Sequence, residues 1–401
     1  MISIHFQKER IPFYLTFAAA IAPLFSGAVC NILIGMAIAS FLILRVKPKM
    51  PPVLLPLGLF FVGTLIATLL SADPWVGRTG VRKFYLLLLM MLVYTTFHKL
   101  CEVYWLIYAW ALLMTASALW SLVQFAEKYQ EAKDLHQNFY QYYTGERITG
   151  FMSHWMTLGG QEMTVVLLVM SLWFFSDVPR KWLLLVASGV IVISVLAGYT
   201  RSIWLGVAVA GLYLIWNWKR WAVLVAPLPV LALMLANPAD IRERVISAFV
   251  PHGDTDSNQF RVVCRRAGEE MIKAHPWFGL GPEQPRIQFQ KWIPADVPRP
   301  LPTGWYGHLH NIYYHYAAER GIPTLLALLW FIGRMLWDFA RAIRKGQGNA
   351  GILHGAIAVT VGVLFTGFYE VNLGDAEVLS LFVITMACGY VVIREAAPDV
   401  G

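Results

Sequence analysis

The chain has 401 residues, of which 58% are hydrophobic and only 14% are charged, and its formal net charge is +8. Soluble domains carry about 25% charged residues, so this composition excludes an ordinary soluble protein and indicates a polytopic membrane protein. The basic excess does not indicate nucleic-acid binding, because the lysines and arginines lie mainly in short loops between apolar segments. The spans are predicted to be helices, since backbone groups in a bilayer need partners within their own segment.

About twelve transmembrane helices are predicted, nine before and three after one long polar segment. Each predicted span is close to the roughly 20 apolar residues that cross a hydrocarbon core as a helix. The predicted fold class is therefore all-α and polytopic. In chain order the predicted spans are 11–29, 31–46, 53–71, 82–97, 102–124, 157–176, 181–198, 202–218, 220–236, 322–341, 352–370 and 376–393.

The short loops predict the orientation of the chain. With the N-terminus in the cytoplasm, most lysines and arginines of the short loops fall on the cytoplasmic side, as the positive-inside rule requires. Two polar segments, 125–156 and 237–321, then face away from the cytoplasm. We accordingly divide the single membrane domain into helices 1–9 (1–236), the polar loop expected to carry the catalytic residues (237–321), and helices 10–12 with the tail (322–401).

The four cysteines form no recognisable pattern. Three of them lie in or beside predicted spans, and only Cys264 lies in the long polar loop. No CxxC pair is present, so we expect neither a disulfide nor a zinc site.

A helix is predicted in the first half of the polar loop. The cluster Asp254-Thr-Asp-Ser-Asn258 is a helix start signal, and Pro276 is a stop signal. Arg261 and Arg265 are four residues apart and lie on one face of this helix, where two guanidinium groups would suit a phosphate or diphosphate. Alternatively, they pair with neighbouring glutamates or with lipid headgroups. The apolar stripe of the helix is expected to comprise Val262, Val263, Ala267 and Met271.

A second polar group lies directly before the tenth predicted span. His310 is followed by Asn311 and, further along, by Glu319 and Gly321. Histidine suits proton transfer near neutral pH, and Asn311 or Glu319 could orient its ring. Alternatively, His310 is a hydrogen-bonded structural residue. No acidic partner stands at zinc-ligand spacing from the pair His308 and His310, so no metal is expected.

Further arginines lie at the ends of spans on the same side. Arg201 lies between the seventh and eighth spans with almost no loop, and a charge at that depth is a candidate functional residue. Alternatively, its side chain simply extends to the interface. Arg78, Arg82 and Lys83 add positive charge after the third span. The loop also carries aromatic residues that could stack on sugar faces, among which the sequence does not choose: Trp292, Trp305 and Tyr306.

In combination, these features resemble the O-antigen ligase group of the ligase/polymerase superfamily of bacterial polysaccharide assembly. The likeness covers nearly the whole chain. One position departs from it: four residues after the equivalent of Arg261 the family often has an aromatic residue, and this chain has Arg265. The resemblance therefore supports a functional role more strongly for Arg261 than for Arg265. Four motifs carry the resemblance: Arg147-Ile-Thr-Gly150-Phe, Thr200-Arg201-Ser202, Arg261 leading to Pro276-Trp-Phe-Gly279-Leu-Gly281, and His310-Asn311 with Glu319 and Gly321.

The resemblance implies an inverting glycosyltransferase, loosely similar to the GT-C class, in the bacterial inner membrane with its active site on the periplasmic side. The donor would be a glycan on undecaprenyl diphosphate and the acceptor a hydroxyl of lipid A–core, with no metal or other cofactor required. His310 would act as general base, supported by Asn311 and Glu319. The donor diphosphate would be bound by Arg201, Arg261, Arg265 and Arg82.

Two other functions stay open at the level of sequence. An O-antigen polymerase or a protein O-oligosaccharyltransferase uses the same donor and differs only in its acceptor. A transporter of lipid-linked sugars would place its charges within its spans. The predicted spans are nearly free of ionisable residues, which favours chemistry at the external face.

Overall fold

The computed structural model describes residues 8–247 and 257–396. Of the residues in these two ranges, 77% are helical, and none is in a strand. Asp254, Asp256 and the last five residues, on which part of the sequence analysis rests, lie outside the described residues. The α-helices are α1 (Ile11–Ile21), α2 (Gly27–Ile43), α3 (Leu54–Leu69), α4 (Pro74–Arg82), α5 (Leu88–Thr96), α6 (Leu100–Asp134), α7 (Phe139–Gly145), α8 (Trp155–Phe175), α9 (Lys181–Ala197), α10 (Arg201–Trp218), α11 (Ala222–Val225), α12 (Pro227–Ala236), α13 (Ile241–Ile246), α14 (Ser257–Ala274), α15 (Gln284–Ile287), α16 (Ile312–Arg320), α17 (Ile322–Arg344), α18 (Ala350–Thr366) and α19 (Ala376–Glu395).

Four helices in the described part of the chain are long and apolar enough to cross a membrane, namely α6, α8, α17 and α19. A fifth is obtained if Ala222–Ala236 and Pro238–Ile246 count as one span, although the two parts meet at an angle of 113°. Several other apolar helices have only 10–17 residues. The all-helical class is therefore confirmed, whereas the count of twelve spans stays a prediction.

The helix ends differ from several of the predicted span ends. Helix α6 runs to Asp134, so part of the segment 125–156 is helical, and α7 follows within that segment. The predicted span 82–97 is divided into the end of α4, a 3-10 helix (Lys83–Leu87) and α5. Helix α4 begins at Pro74, before the predicted span, because Asp73 caps it. The Asp73 carboxylate accepts a hydrogen bond from the backbone N–H of Trp75 at 3.0 Å.

The membrane-type core is built around α8 and α18, which pack along each other, with α10 against both. Gly206 of α10 allows this close approach, because a Cβ atom there would lie 3.2 Å from the carbonyl oxygen of Gly362 on α18. Helix α19 is buried over most of its length and packs against α5 and α8. The segment 367–375 joins α18 to α19 at one end of this bundle.

A second, smaller core lies in the polar loop. Its buried residues come from α14, α16 and the segments between them. The predicted helix is present as α14, with Val263, Ala267 and Met271 buried against α16. Val262 is 49% exposed, so its assignment to the apolar stripe was wrong. Helix α14 is thereby fixed in orientation relative to α16, which carries the second polar group at its start.

An acidic residue, Glu162, is fully buried in the main core. Glu162 lies on α8 and accepts a hydrogen bond from the hydroxyl of Ser194 on α9. Ser194 is in turn bonded to Ser121 of α6 at 2.5 Å. The carboxyl is satisfied by this chain of hydroxyls, which links three helices.

Candidate active site

A buried carboxylate joins the two polar groups of the long loop. Glu370 lies in the segment between α18 and α19 and is only 7% exposed. Its Oε1 atom lies 2.5 Å from Nη2 of Arg261, and its Oε2 atom lies 3.2 Å from Nδ1 of His310. One carboxylate therefore holds a guanidinium and an imidazole side by side.

Backbone and side-chain hydrogen bonds place His310 beside this carboxylate. The N–H of Ile312 donates to the carbonyl of Gly367 at 2.7 Å, and the amide of Asn311 donates to the carbonyl of Phe368 at 3.1 Å. These bonds tie the start of α16 to the segment 367–375. Because α14 packs against α16, Arg261 reaches the other oxygen of the same carboxylate.

The charges around Glu370 keep it ionised. Burial by itself would raise the pKa of its carboxyl. The hydrogen bond with His310 and the positive charge of Arg261 outweigh burial and lower that pKa to about 2. Glu370 is therefore an anion at neutral pH, compensated by its two partners.

His310 is held in a constrained conformation. Its φ is +48°, in the left-handed region that non-glycine residues rarely adopt and that is frequent at functional sites. Its Nδ1 atom faces Glu370, and its Nε2 atom lies 3.0 Å from the carbonyl oxygen of Trp305. Both ring nitrogens thus face hydrogen-bond acceptors, the carboxylate of Glu370 and a backbone carbonyl.

His308 packs directly on His310, with ring centroids 4.0 Å apart. Its Nδ1 atom accepts the backbone N–H of His310 at 3.1 Å, so in the neutral ring the proton is on Nε2. Burial and the neighbouring His310 lower the pKa of His308 to about 2. His308 is therefore a neutral hydrogen-bond donor beside the His310 ring.

We expect His308, whose side chain is half-buried, to reduce the stability of the protein in acid. The ordinary pKa of 6.5 applies to the unfolded chain and the value of about 2 to the folded one, so the unfolded state binds the proton first. The free energy of unfolding is then highest above pH 6.5 and declines as the pH falls toward 2. His308→Gln should flatten the pH dependence of the thermal midpoint below pH 6.5, whereas His275→Gln, at an exposed site, should not. Equal slopes in wild type and His308→Gln would contradict this assignment.

The same three groups could also hold a metal ion. Ligand atoms of His308, His310 and Glu370 all lie within 4.8 Å of one another, and two imidazoles with a carboxylate suit zinc or iron. However, Nη2 of Arg261 already contacts the carboxylate, and Nδ1 of His308 is used by a backbone N–H. The fixed cation beside the carboxylate opposes a second cation at this position.

Asn311 and Glu319 do not hold the His310 ring. The Asn311 side chain caps α16 by accepting from the N–H groups of Tyr313 and Tyr314. Glu319 stands eight residues further along, about 12 Å down a helix at about 1.5 Å per residue. The expected support of His310 by these residues is replaced by Glu370, which sequence reasoning missed because it is remote in the chain.

Glu319 belongs instead to a second buried cluster. Its carboxylate lies 3.4 Å from Nε2 of His315 and 3.3 Å from Nη1 of Arg320, and it accepts the backbone N–H of Glu283 at 2.8 Å. Burial would raise the pKa of Glu319, but His315 and Arg320 lower it. The cluster fixes the far end of α16.

The glycine motif after Pro276 runs along that same end. The N–H of Leu280 donates to the carbonyl of Ala318 and the N–H of Gly281 to that of Glu319, both at 2.8 Å. Gly279 has φ +67°, and a Cβ atom there would collide with the backbone of Glu319. This motif therefore serves the packing of the loop on α16.

The predicted pair of arginines on α14 is separated in space. Arg261 turns toward Glu370, whereas Arg265 is exposed and pairs with Glu269 at 3.6 Å. This is the alternative pairing considered from the sequence. Arg82 is exposed at the end of α4, where the neighbouring Lys83 donates to the carbonyl of Gly374 at 2.8 Å. Arg82 thus lies near the segment that carries Glu370 without contacting it.

Arg201 is the first residue of α10, and its side chain reaches the start of α14. Its Nη1 atom donates to the carbonyl of Ser247 at 2.5 Å, and its Nη2 atom donates to the side-chain oxygen of Asn258 at 3.0 Å. Asn258 is about one helical turn before Arg261. The structure therefore brings Arg201 and Arg261 to the same end of one helix.

Two further arginines, to which the sequence analysis gave no role, complete this positive region. Arg244 is buried, donates to the carbonyl of Tyr199 at 2.8 Å, and lies on the short helix that leads to Ser247. Arg147 interacts electrostatically with Arg244, Glu370 and Arg261. Burial and the like charge of Arg244 lower the pKa of Arg147 to about 9, so a bound anion would stabilise its charged form.

Comparison with known proteins bears on the same residues. Residues 186–329 match the model of a family described as O-antigen ligase. The matched range includes Arg201, Arg244, Arg261 and His310 but not Glu370. No curated protein matches the chain. With the apolar helices described above, the match indicates a multi-pass membrane protein that acts on lipid-linked glycans.

Proposed function

We propose, since the chain belongs to the O-antigen ligase superfamily, that it transfers a glycan from undecaprenyl diphosphate to a hydroxyl of lipid A–core with inversion. The observation that carries this proposal is the shared carboxylate of Glu370. It holds a cation suited to a diphosphate, Arg261, beside a ring suited to proton transfer, His310. We place this site on the periplasmic side of the bacterial inner membrane, where the loop 237–321, between the two helical parts 1–236 and 322–401, meets the segment 367–375.

The arginines supply what the leaving group requires. When the bond between the anomeric carbon and the diphosphate oxygen breaks, its electron pair stays on the diphosphate, which gains negative charge. Preorganised cations in a site shielded from water stabilise that charge. Arg201 and Arg261 lie at one end of α14, with Arg244 and Arg147 close by. Arg82 stands at the margin of the region, and Arg265 is directed away from it.

His310 provides the proton acceptor. The acceptor hydroxyl oxygen attacks the anomeric carbon from the face opposite the diphosphate, and its proton passes to Nε2 of His310 as the carbon–phosphate oxygen bond breaks. The products are the transferred glycan and undecaprenyl diphosphate. Glu370 holds the other nitrogen, Nδ1, and stabilises the imidazolium that forms.

We further propose that the reaction needs no metal ion. Arg261 already neutralises Glu370, and the arginines occupy the role that a divalent cation would have at the diphosphate.

One reconstituted reaction tests the whole proposal. Purified protein in detergent is mixed with glycan-loaded undecaprenyl diphosphate and lipid A–core in the presence of a chelator, and the products are separated on a gel. Glycan on lipid A–core is the expected result. Longer glycan that stays on the carrier would instead identify a polymerase, and transfer that depends on added metal would refute metal independence.

Donor binding should depend on the inner arginines and not on the exposed one. We expect Arg261→Ala and Arg147→Ala each to raise the KM for the lipid-linked donor at least tenfold, because an arginine–diphosphate hydrogen bond contributes about 1.5–3 kcal/mol. Arg266→Ala is the matched control, since Arg266 is on the same helix and pairs with the exposed Asp296. Equal effects of Arg261→Ala and Arg266→Ala would contradict the assignment.

A further inference from the structure

The position of the acceptor hydroxyl is already occupied by a protein atom. A hydroxyl that gives its proton to Nε2 of His310 must lie within about 2.6–3.2 Å of that nitrogen. The carbonyl oxygen of Trp305 occupies this place, at 3.0 Å. The other ring nitrogen is held by Glu370. The acceptor oxygen therefore has to replace the Trp305 carbonyl.

This replacement requires only a local movement. Rotation of the peptide unit between Trp305 and Tyr306, through ψ of Trp305 and φ of Tyr306, would turn the carbonyl away. Gly304 and Gly307 flank this dipeptide and can take up the accompanying change in the backbone. Tyr306 keeps the segment in place, because its hydroxyl donates to the carbonyl of Pro302 at 2.6 Å and its ring packs on the second core. The Trp305 side chain can thus stay where it is while Nε2 becomes free.

The Trp305 indole stands directly beside that position. It is 62% exposed, and its six-membered ring lies over Gly307, where a Cβ atom would collide with it. It meets the His308 ring at 88° with centroids 4.8 Å apart, and its centroid is 6.3 Å from that of His310. A sugar ring stacked on the indole would therefore lie beside the His310 ring.

The two other aromatic candidates from the sequence do not have this combination. Trp292 is half-buried against His275, and Tyr306 is packed into the second core. Of these three residues, only Trp305 has both a largely exposed ring and a backbone carbonyl that faces Nε2 of His310.

We propose that the Trp305 indole is the binding platform for the acceptor sugar, a pyranose ring whose hydroxyl displaces the Trp305 carbonyl from Nε2 of His310. The apolar C–H face of a pyranose stacks on an indole, while its hydroxyls stay available to polar groups. The neutral His308 offers its Nε2–H to the same sugar. This inference rests on the proposed glycosyl transfer, and it assigns acceptor recognition to one side chain.

Steady-state kinetics with lipid A–core as the varied substrate provide the test. The variants are Trp305→Ala, Trp305→Phe and Gly307→Ala; the last keeps the tryptophan but displaces its ring. Trp277→Ala is the control, because Trp277 is in the same loop and is similarly exposed, at 69%. Binding of delipidated core oligosaccharide to the full-length protein is measured separately by calorimetry, without donor.

Trp305→Ala and Gly307→Ala should each raise the acceptor KM about tenfold or more, with a smaller rise for Trp305→Phe. The donor KM and the Trp277→Ala variant should be unchanged. An unchanged acceptor KM in Trp305→Ala, or an equal rise in donor KM, would overturn the inference. If the wild type transfers nothing to lipid A–core, the proposed function fails. The calorimetry then decides the inference: weaker oligosaccharide binding by Trp305→Ala supports it, and equal or absent binding refutes it.

Discussion

Replacing Glu370 with alanine is expected to abolish glycan transfer, with a loss of at least about 10²-fold in kcat/KM. The change leaves Arg261 and His310 without their shared partner, and breaking one buried ion pair typically costs about 3–5 kcal/mol. The guanidinium then turns away from the position required for the donor, and the His310 ring loses the contact that fixes Nδ1. Initial rates over a range of donor concentrations, with the acceptor saturating, measure the loss.

Two variants separate this effect from misfolding. Glu370→Gln keeps the shape and one hydrogen-bond acceptor, so it should fold like the wild type, as judged by the thermal midpoint, and still transfer poorly. Asp296→Ala removes the carboxylate of the exposed pair with Arg266 and should leave transfer unchanged. Wild-type rates in folded Glu370→Gln would show that the charge of Glu370 has no role in the reaction.

His310→Ala should lower kcat by about 10²–10⁴-fold, the usual contribution of a positioned general base. The donor KM should change little, because Arg261 retains Glu370 as its partner. Donor binding and turnover are therefore measured independently, with His275→Ala as an exposed histidine control. A His310→Ala protein that keeps most of its turnover would exclude this residue as the base.

The sequence singled out His310 and Arg261 but could not place Glu370. Glu370 was included in the predicted span 352–370, whereas α18 ends at Thr366 and leaves it in a connecting segment. No local pattern links this carboxylate to a histidine sixty residues earlier. Only the packing of α16 against the segment 367–375 creates the contact.

Helical periodicity was informative for α14 yet incomplete. Periodicity placed Arg261 and Arg265 on one face of the helix. The two residues are one turn apart along the helix axis, however, and only Arg261 contacts Glu370. For the same reason the spacing from His310 to Glu319 was misleading. Spacing in the chain predicts neighbours on one helix and does not predict the partner that another segment supplies.

The hydrogen bonds from Ile312 and Asn311 to Gly367 and Phe368 have a consequence for the exchange of parts between relatives. The region that matches the family ends at residue 329, yet the carboxylate that its histidine and arginine share lies beyond that end. A chimaera in which only residues 186–329 are taken from this chain would pack α16 of this chain against the segment of the other protein that corresponds to 367–375. We therefore expect an active chimaera only when the segment 367–375 is exchanged together with the matched region, because the two parts share one buried carboxylate contact.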